Sequence, residues 1–237
     1  TLVRSRSDVT AISLPSTVST IGANAYSGCL GLTNITIPET ITTVGIYSFG
    51  FCSNLTNVNY GRLSSIDPGV FTHCTSLTSV NIPNSVTSIA SEAFDYCTSL
   101  SSITIPDSVT SIGGNAFRNC SNLSYIKSEA TSAPTILPDW RSGALASPFV
   151  GVAAQSIFVP TGAVQSYLDA GGGSTFEGLT VTDADLTFTL NEAGTGYSVT
   201  DCNQSASGAL AIPNAYNGLP VTTVADDAFK YCANLTS

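Results

Sequence analysis

The sequence predicts a repeat solenoid that is mainly β, with a parallel stacked sheet and short helical or 3₁₀ turns on the convex side. Three observations predict it: a period of 23 residues, alternating apolar residues in the first part of each repeat, and an aromatic residue and a Cys at fixed positions in the last part. Residues 77–99 and 100–122 align without a gap and are identical at 12 of 23 positions, and earlier copies begin at Val9, Leu32 and Leu55. Because one repeat cannot bury its own apolar side, successive coils must stack.

The first part of each repeat predicts a half-buried strand. In residues 100–105, Ile103 and Ile105 alternate with Ser102 and Thr104. Successive residues of a strand point to opposite faces, so the isoleucines face the core and the polar residues face solvent. A Pro follows in four copies, and its missing amide donor suits the end of a strand.

The rest of each repeat predicts a second extended stretch and a turn. Val109 and Ile112 supply two inward apolar residues, and the Gly that often follows is consistent with a tight turn. The next stretch places Ala116, Phe117 and Cys120 about one helical turn apart, which predicts a short helical or 3₁₀ turn.

Stacking predicts two buried columns of equivalent side chains, because coils about 4.8 Å apart bring like residues into contact. The aromatic column is Tyr26, Phe49, Phe71, Phe94 and Phe117, and the sulfur column is Cys29, Cys52, Cys74, Cys97 and Cys120. We interpret these cysteines as buried small hydrophobic residues, since their side chains run parallel and no C-x-x-C or Cys/His ligand spacing occurs.

The pattern I-P-x-x-V-T-x-I-G-x-x-A-F-x-x-C resembles the repeat of the BspA-like leucine-rich repeat proteins, from residue 9 to about residue 128 and again near the C-terminus. The resemblance implies a leucine-rich-repeat solenoid that attaches to host proteins or to a cell surface. The sequence departs from the pattern at Tyr60-Gly61 and at Ala90-Ser91, which changes only the local turns.

Three segments are predicted along the chain. Residues 1–128 form the solenoid, with about five coils and the start of a sixth. Residues 129–183 are an irregular capping segment, similar to the family's terminating segment, with a strand at 156–159 and a short helix at 162–170. Residues 184–237 begin a second repeat array, a strand hairpin and one coil that is cut short.

The second array repeats the column positions. Phe229 and Cys232 stand where the aromatic residue and the Cys of a coil are expected. Cys202 lies outside the column and has no obvious partner in the sequence, so we predict only that it is buried.

Composition and motifs argue against an enzyme, and we expect no cofactor and no metal site. The single His, His73, precedes Cys74, but the same position holds Gly28, Phe51, Tyr96 and Asn119 in other coils, so it is predicted to tolerate any residue. Neighbouring aspartates near residues 183–185 and 226–227 fall short of the six to eight oxygen ligands that calcium takes.

The net charge of the chain limits the kinds of molecule that it is expected to bind. A net charge of −9 repels phosphate backbones, and the seven Lys and Arg residues form no cluster, so we expect no nucleic acid. No apolar run of about 18 residues occurs, so we expect no membrane insertion within this segment.

The outward strand positions are the candidate binding residues, since stacking aligns them into ladders on one face of the solenoid. They are Asn34, Asn57, Ser79, Ser102 and Tyr125 in one row, and Thr36, Asn59, Asn81, Thr104 and Lys127 in the other. The alternative is that these residues are simply small, soluble strand formers.

The leading hypothesis is an extracellular or cell-surface scaffold that recognises a protein or a cell-surface glycan and serves in adhesion. The low charge and the abundance of Ser and Thr favour a secreted product. The alternative is a structural subunit or spacer that associates with itself, head to tail, through open solenoid ends.

Overall fold

The computed structural model of the chain divides into two units. It describes residues 10, 12, 14–154, 156–160, 162–183, 186–202, 207–208, 215–216, 219–232 and 234–235. The first unit comprises Thr1–Ile126 and Pro134–Gln155, and the second comprises Lys127–Ala133 and Ser156–Ser237. Val9, where the first repeat was predicted to begin, lies outside the described residues.

The first unit is built from short parallel strands, one or two to a coil. They are β1 (Thr20–Ile21), β2 (Asn34–Thr36), β3 (Thr43–Val44), β4 (Asn57–Asn59), β5 (Ser65–Ile66), β6 (Ser88–Ile89), β7 (Ser102–Ile105), β8 (Ser111–Gly113), β9 (Tyr125–Ser128, which continues into the second unit) and β10 (Thr135–Leu137). The predicted fold class, a solenoid of parallel stacked strands, is confirmed.

Equivalent residues of successive coils pair with each other. On one face β2 pairs with β4, so that Asn34 lies beside Asn57. On the other face β5, β6, β8 and β10 form one sheet, in which Ser88 lies beside Ser111. The repeat period therefore sets the register directly: a residue is paired with its own counterpart one coil away.

The convex side is a series of tight turns that also bond from coil to coil. Within one coil the amide of Gly50 donates to the carbonyl of Tyr47 (3.1 Å), an i→i−3 bond of the kind predicted for a 3₁₀ turn. Between coils the amide of Tyr47 donates to Pro68 (3.2 Å), and that of Phe51 to Thr72 (2.7 Å). Tyr47 and Phe51 have positive φ angles of 54° and 63°, and these left-handed residues interrupt any continuous helix.

The predicted aromatic column is confirmed, and it contains one ring more than the sequence indicated. Rings of successive coils stack with centroids 5.3–5.7 Å apart and interplanar angles of 2–13°. The sixth ring is Phe149, which stacks on Phe117 at 5.6 Å. All the Phe rings of the column are buried, so its interior is a single apolar row.

Phe149 belongs to a sixth coil that carries an insertion. It follows Phe117 by 32 residues, nine more than the period of 23. Strand β10 continues the sheet, and the amide of Phe117 donates to the carbonyl of Pro148 (2.8 Å). The extra residues, about 138–146, form a loop between the strand and the turn, which we call the insertion loop.

The sulfur column is also confirmed as a row of buried thiols. Each thiol from the second coil onward donates to the carbonyl of the aromatic residue in the preceding coil, as Cys74 does to Phe49 (3.3 Å) and Cys97 to Phe71 (3.2 Å). Burial raises the pKa of Cys52 to about 11 and that of Cys120 to about 12. These thiols are therefore protonated and unreactive in the folded chain.

The second unit combines strands with one helix. Its elements are β11 (Ser156–Val159), α1 (Val164–Ala170), β12 (Thr180–Asp183), β13 (Leu186–Leu190), β14 (Tyr197–Cys202), β15 (Ser207–Gly208), β16 (Ala215–Tyr216), β17 (Leu219–Val224) and β18 (Asn234–Leu235). Strands β11 and β12 are parallel, and β13 and β14 form the predicted antiparallel hairpin. Tyr167 of α1 is buried; its hydroxyl donates to Ser128 (2.6 Å) and its ring packs edge-on against Phe176.

Cys202 has a partner that the sequence did not indicate. It is disulfide-bonded to Cys232, with Cα atoms 6.3 Å apart. The bond joins the end of β14 to the last turn described in the chain, within a small apolar cluster that contains Leu186, Val199 and Ala228. The prediction that Cys202 is buried is confirmed. Its partner was not evident from the sequence because a separation of 30 residues is not a multiple of the repeat period.

Truncating a ring of the aromatic column should be severely destabilising. Phe94→Ala removes a fully buried ring that stacks on both sides, so we expect a loss of about 3–5 kcal/mol in the free energy of unfolding, measured by urea denaturation. Phe51→Ala is the control, since Phe51 is 48% exposed, and should cost less than about 1 kcal/mol. Similar losses for both variants would contradict the interior assignment.

Counting accessible thiols should separate the two kinds of cysteine. Of the seven cysteines, five are free and buried and two share the disulfide. We expect mass spectrometry after alkylation to find almost no label on the folded chain, five labels after denaturation without reductant, and seven after denaturation with reductant. Seven labels without reductant would rule out the disulfide.

Candidate functional site

Nine of the ten candidate binding residues lie on one face of the first unit, and these nine are here called the strand face. Nine of the ten are exposed, namely Asn34, Thr36, Asn57, Asn59, Ser79, Asn81, Ser102, Thr104 and Tyr125. Their inward neighbours Ile35, Val58 and Ile103 are buried, so packing of the core fixes the direction of each strand. The tenth, Lys127, is half-buried; it belongs to the second unit, where it lies 3.7 Å from Glu129.

The strand face carries amides and hydroxyls and no net charge. Thr36 lies beside Asn59, and Asn59 in turn bridges to Asn81. Strands β2, β4 and β7 contain no charged residue. At the edge of the face the hydroxyl of Thr56 donates to the carbonyl of Thr33 one coil below (2.9 Å). The face therefore offers neutral donors and acceptors in fixed rows.

A second surface, which the sequence analysis missed, lies on the convex side. The side chains of Phe51, His73 and Tyr96 stack with ring centroids 4.9 and 4.5 Å apart and interplanar angles of 10° and 8°. We call it the outer aromatic row. At one end the guanidinium of Arg118 lies 6.0 Å from the centre of the Tyr96 ring. Phe51 and Tyr96 are exposed, so the row is partly open to solvent.

The residue before each column Cys is constrained, contrary to the expectation that this position tolerates any residue. Phe51, His73, Tyr96 and Asn119 all have φ between 57° and 63°, and Gly28 has φ of 73°. The left-handed backbone aims each side chain in the same direction, which makes the stack possible. The signal in the sequence was the run of three rings at one repeat position.

A buried charge cluster lies next to the outer aromatic row. Glu92 and Asp95 are both buried. Arg118 binds Asp95 with two hydrogen bonds, from Nε to Oδ1 (3.0 Å) and from Nη2 to Oδ2 (2.5 Å). Arg141 lies 3.3 Å from Glu92, and the Tyr47 hydroxyl donates to Glu92 (2.8 Å). Asp95 and Arg118 are 23 residues apart, so the repeat period itself could have predicted their pairing.

The insertion loop is fastened to this cluster. Arg141 contacts the Tyr47 hydroxyl and its guanidinium lies over the rings of Tyr47 and Trp140, at 5.2 and 5.5 Å. Asp139 accepts hydrogen bonds from the amides of Arg141 and Ser142, which close the loop. The loop thereby connects the sixth coil to the second and fourth.

Two pKa shifts reflect these contacts. Burial, and then the hydrogen bond to Glu92, raises the pKa of Tyr47 from 10.0 to about 12. Because the shift favours the protonated phenol, its contribution to stability is complete below pH 10 and is lost as the pH rises towards 12. Burial opposes the charge of Asp139, but the hydrogen bonds from Ser142, Asn115 and Arg141 outweigh it and lower the pKa of that carboxyl.

Neither a metal site nor a membrane span emerges from the described parts of the chain. Among those residues no three His, Cys, Asp or Glu side chains gather closely enough to hold an ion. No helix in the same residues has the length and hydrophobicity needed to cross a bilayer. Asp185, one of the aspartates considered for calcium, lies outside the described residues.

Comparison of sequences identifies the repeat. The BspA type leucine rich repeat region matches residues 4–128 in six copies. No curated protein sequence matches the chain. The match covers all ten candidate binding residues and the outer aromatic row.

Solved structures that resemble the chain are bacterial leucine-rich repeat proteins. A leucine-rich repeat protein from Eubacterium ventriosum ATCC 27560 is 28% identical over 61% of this chain and 37% of its own, with a TM-score of 0.50. A leucine rich cell surface protein from Faecalibacterium prausnitzii A2-165 is 33% identical over 50% and 32% of the two chains, with a TM-score of 0.49. The T. pallidum protein TpLRR is 28% identical over 51% and 58%, with a TM-score of 0.48. The chain thus spans less than two thirds of each of these structures.

Removing the guanidinium that neutralises Asp95 should destabilise the first unit. Arg118→Leu leaves a buried carboxylate without its partner, so we expect a loss of about 1–3 kcal/mol in the free energy of unfolding by urea denaturation.

Arg62→Leu is the matched control for that variant. Arg62 pairs with Glu39 at 3.3 Å, but both side chains are more than two thirds exposed, and such pairs contribute less than about 1 kcal/mol. Equal losses for the two variants would show that burial of Asp95 has no energetic consequence.

Proposed function

Because the chain belongs to the BspA-type leucine-rich repeat family, we propose that it is a non-catalytic scaffold of the cell surface or of the extracellular space, which binds a protein or a glycan through its strand face. The observation that carries the proposal is the strand face itself: nine exposed residues, most with amide or hydroxyl side chains, held in register over five coils. Extended faces of this kind are where solenoid proteins bind their partners.

The chemistry of the strand face favours an uncharged or weakly charged ligand surface. A strongly charged partner would find no opposite charge on β2, β4 or β7. The side chains of Asn57, Asn59 and Asn81 each offer a donor and an acceptor, so they can bind a peptide backbone or the hydroxyls of a sugar equally well. Tyr125, which is 40% exposed, adds one aromatic contact at the end of a row.

The disulfide supports a location outside the reducing cytosol. Structural disulfides persist in oxidising compartments, and Cys202 and Cys232 are bonded within the apolar cluster of the second unit. The free thiols of the sulfur column are buried, so they offer no competing partners for exchange.

The contacts made by the single His and by two buried carboxylates support a non-catalytic role. The only His is stacked between two aromatic rings, and the buried carboxylates Glu92 and Asp95 are neutralised by arginines. Both arrangements use these groups to stabilise the coils of the first unit.

The proposal is tested by adhesion of coated beads to epithelial cells. Asn34→Glu, Asn59→Glu and Asn81→Glu together place three bulky anions on the strand face, and we expect bead adhesion to fall at least about tenfold, since burying unpaired charge in an interface costs several kcal/mol. Periodate treatment of the cells, compared with protease treatment, identifies the ligand as glycan or protein.

A control with the same added charge uses strands that are not part of the strand face. Thr20→Glu, Thr43→Glu and Ser88→Glu alter outward positions of β1, β3 and β6. Beads coated with this variant should adhere like the unaltered chain. If both triple variants adhere normally, the strand face is not the binding surface.

A further inference from the structure

The outer aromatic row has one closed end and one open end. At the closed end the guanidinium of Arg118, held by Asp95, lies over Tyr96. At the open end the first coil contributes Gly28, which has no side chain to cover the ring of Phe51 in the second coil. A Cβ placed on Gly28 would meet no atom of the described chain within 4 Å.

The backbone at Gly28 follows the same path as at the three aromatic positions. The amide of Gly28 donates to a backbone carbonyl of the coil above (2.8 Å). The amides of Phe51, His73 and Tyr96 donate to equivalent carbonyls at 2.7–2.8 Å. All four residues have positive φ. A side chain at position 28 would therefore point along the row toward Phe51, and the glycine leaves this position of the row without a side chain.

Positive φ does not by itself explain this glycine. Phe51, His73, Tyr96 and Asn119 adopt the same conformation with side chains. What distinguishes Gly28 is that, among the described residues, its coil supplies no ring to cover Phe51, a residue that is 48% exposed.

The row itself indicates which group fits the space. Among the described residues of the first unit, two arginine guanidiniums lie over aromatic rings: that of Arg118 over Tyr96, and that of Arg141 over Tyr47 and Trp140. A ring face is electronegative and attracts cations, and the chain carries a net charge of −9. A planar cation matches both the shape of the space and the sign of the field.

We propose that the space between Gly28 and the open face of Phe51 is a binding site for an arginine side chain of a partner protein. The guanidinium stacks on Phe51 as a further layer of the outer aromatic row, in the way that Arg118 ends the row at the opposite side. This site is on the convex side and is independent of the strand face.

The test is a titration of the full chain, followed by NMR, with tripeptides blocked at both ends. We expect Gly-Arg-Gly to shift the Gly28 amide and the Phe51 ring signals, with an affinity at least about threefold higher than that of Gly-Lys-Gly, since a guanidinium stacks on a ring and an ammonium does not. Equal affinities for the two peptides, or a tighter complex with Gly-Tyr-Gly, would overturn the assignment to arginine.

Two variants locate the site. Gly28→Phe fills the space with the ring that the next coil carries, and Phe51→Leu removes the stacking surface; each should abolish the shifts caused by Gly-Arg-Gly. Gly194→Phe is the control, because Gly194 also has a positive φ and open space around it but lies in the second unit. With folding verified by far-UV circular dichroism, unchanged binding to Gly28→Phe would refute the proposal.

Discussion

Stacking of each side chain on its own counterpart one coil away is the constraint on which the first unit depends. The six rings from Tyr26 to Phe149 lie 5.3–5.7 Å apart and nearly parallel, and the thiols beside them donate to carbonyls of the coil below. A ring that was shifted by one residue would face solvent and leave a gap in the row. The aromatic and sulfur columns therefore enforce the same register on both sheets and on the turns of the convex side.

The register fixed in the interior also organises the surface. Once coils are aligned, outward residues at equal positions must also lie over one another, which produces the amide and hydroxyl rows of the strand face and the outer aromatic row. The same alignment brings Asp95 beneath Arg118, a pair separated by one period. The surface of the first unit is thus periodic because its interior is periodic.

Much of the first unit could be predicted from its repeat period. The features that could not be predicted lie where an insertion interrupts the repeat, where residues at different repeat positions make contact, or where the backbone conformation sets a side chain's direction. The column from Phe49 to Phe117 follows from residues at equal spacing. Phe149 was missed because the nine-residue insertion loop separates it from the pattern, and the Cys202–Cys232 bond was missed because it crosses between different repeat positions. The outer aromatic row was missed because only the backbone φ reveals that Phe51, His73 and Tyr96 point the same way.

Exceptions to the period are therefore more informative about function than the period itself. An exposed strand position that needs only a polar residue accepts Ser, Thr or Asn, and most of the strand face consists of these residues. Such a face can bind a partner through many weak contacts, with no single residue essential. Gly28 is different, because it interrupts a row whose other members are rings and leaves the Phe51 face uncovered. The insertion loop is a second exception, since it adds residues that the stack does not need and fastens them with Arg141 to the buried Glu92. Positions that carry the same kind of residue in every coil stabilise the stack. The positions that differ, at Gly28 and in the insertion loop, are where a specific contact with a partner can form.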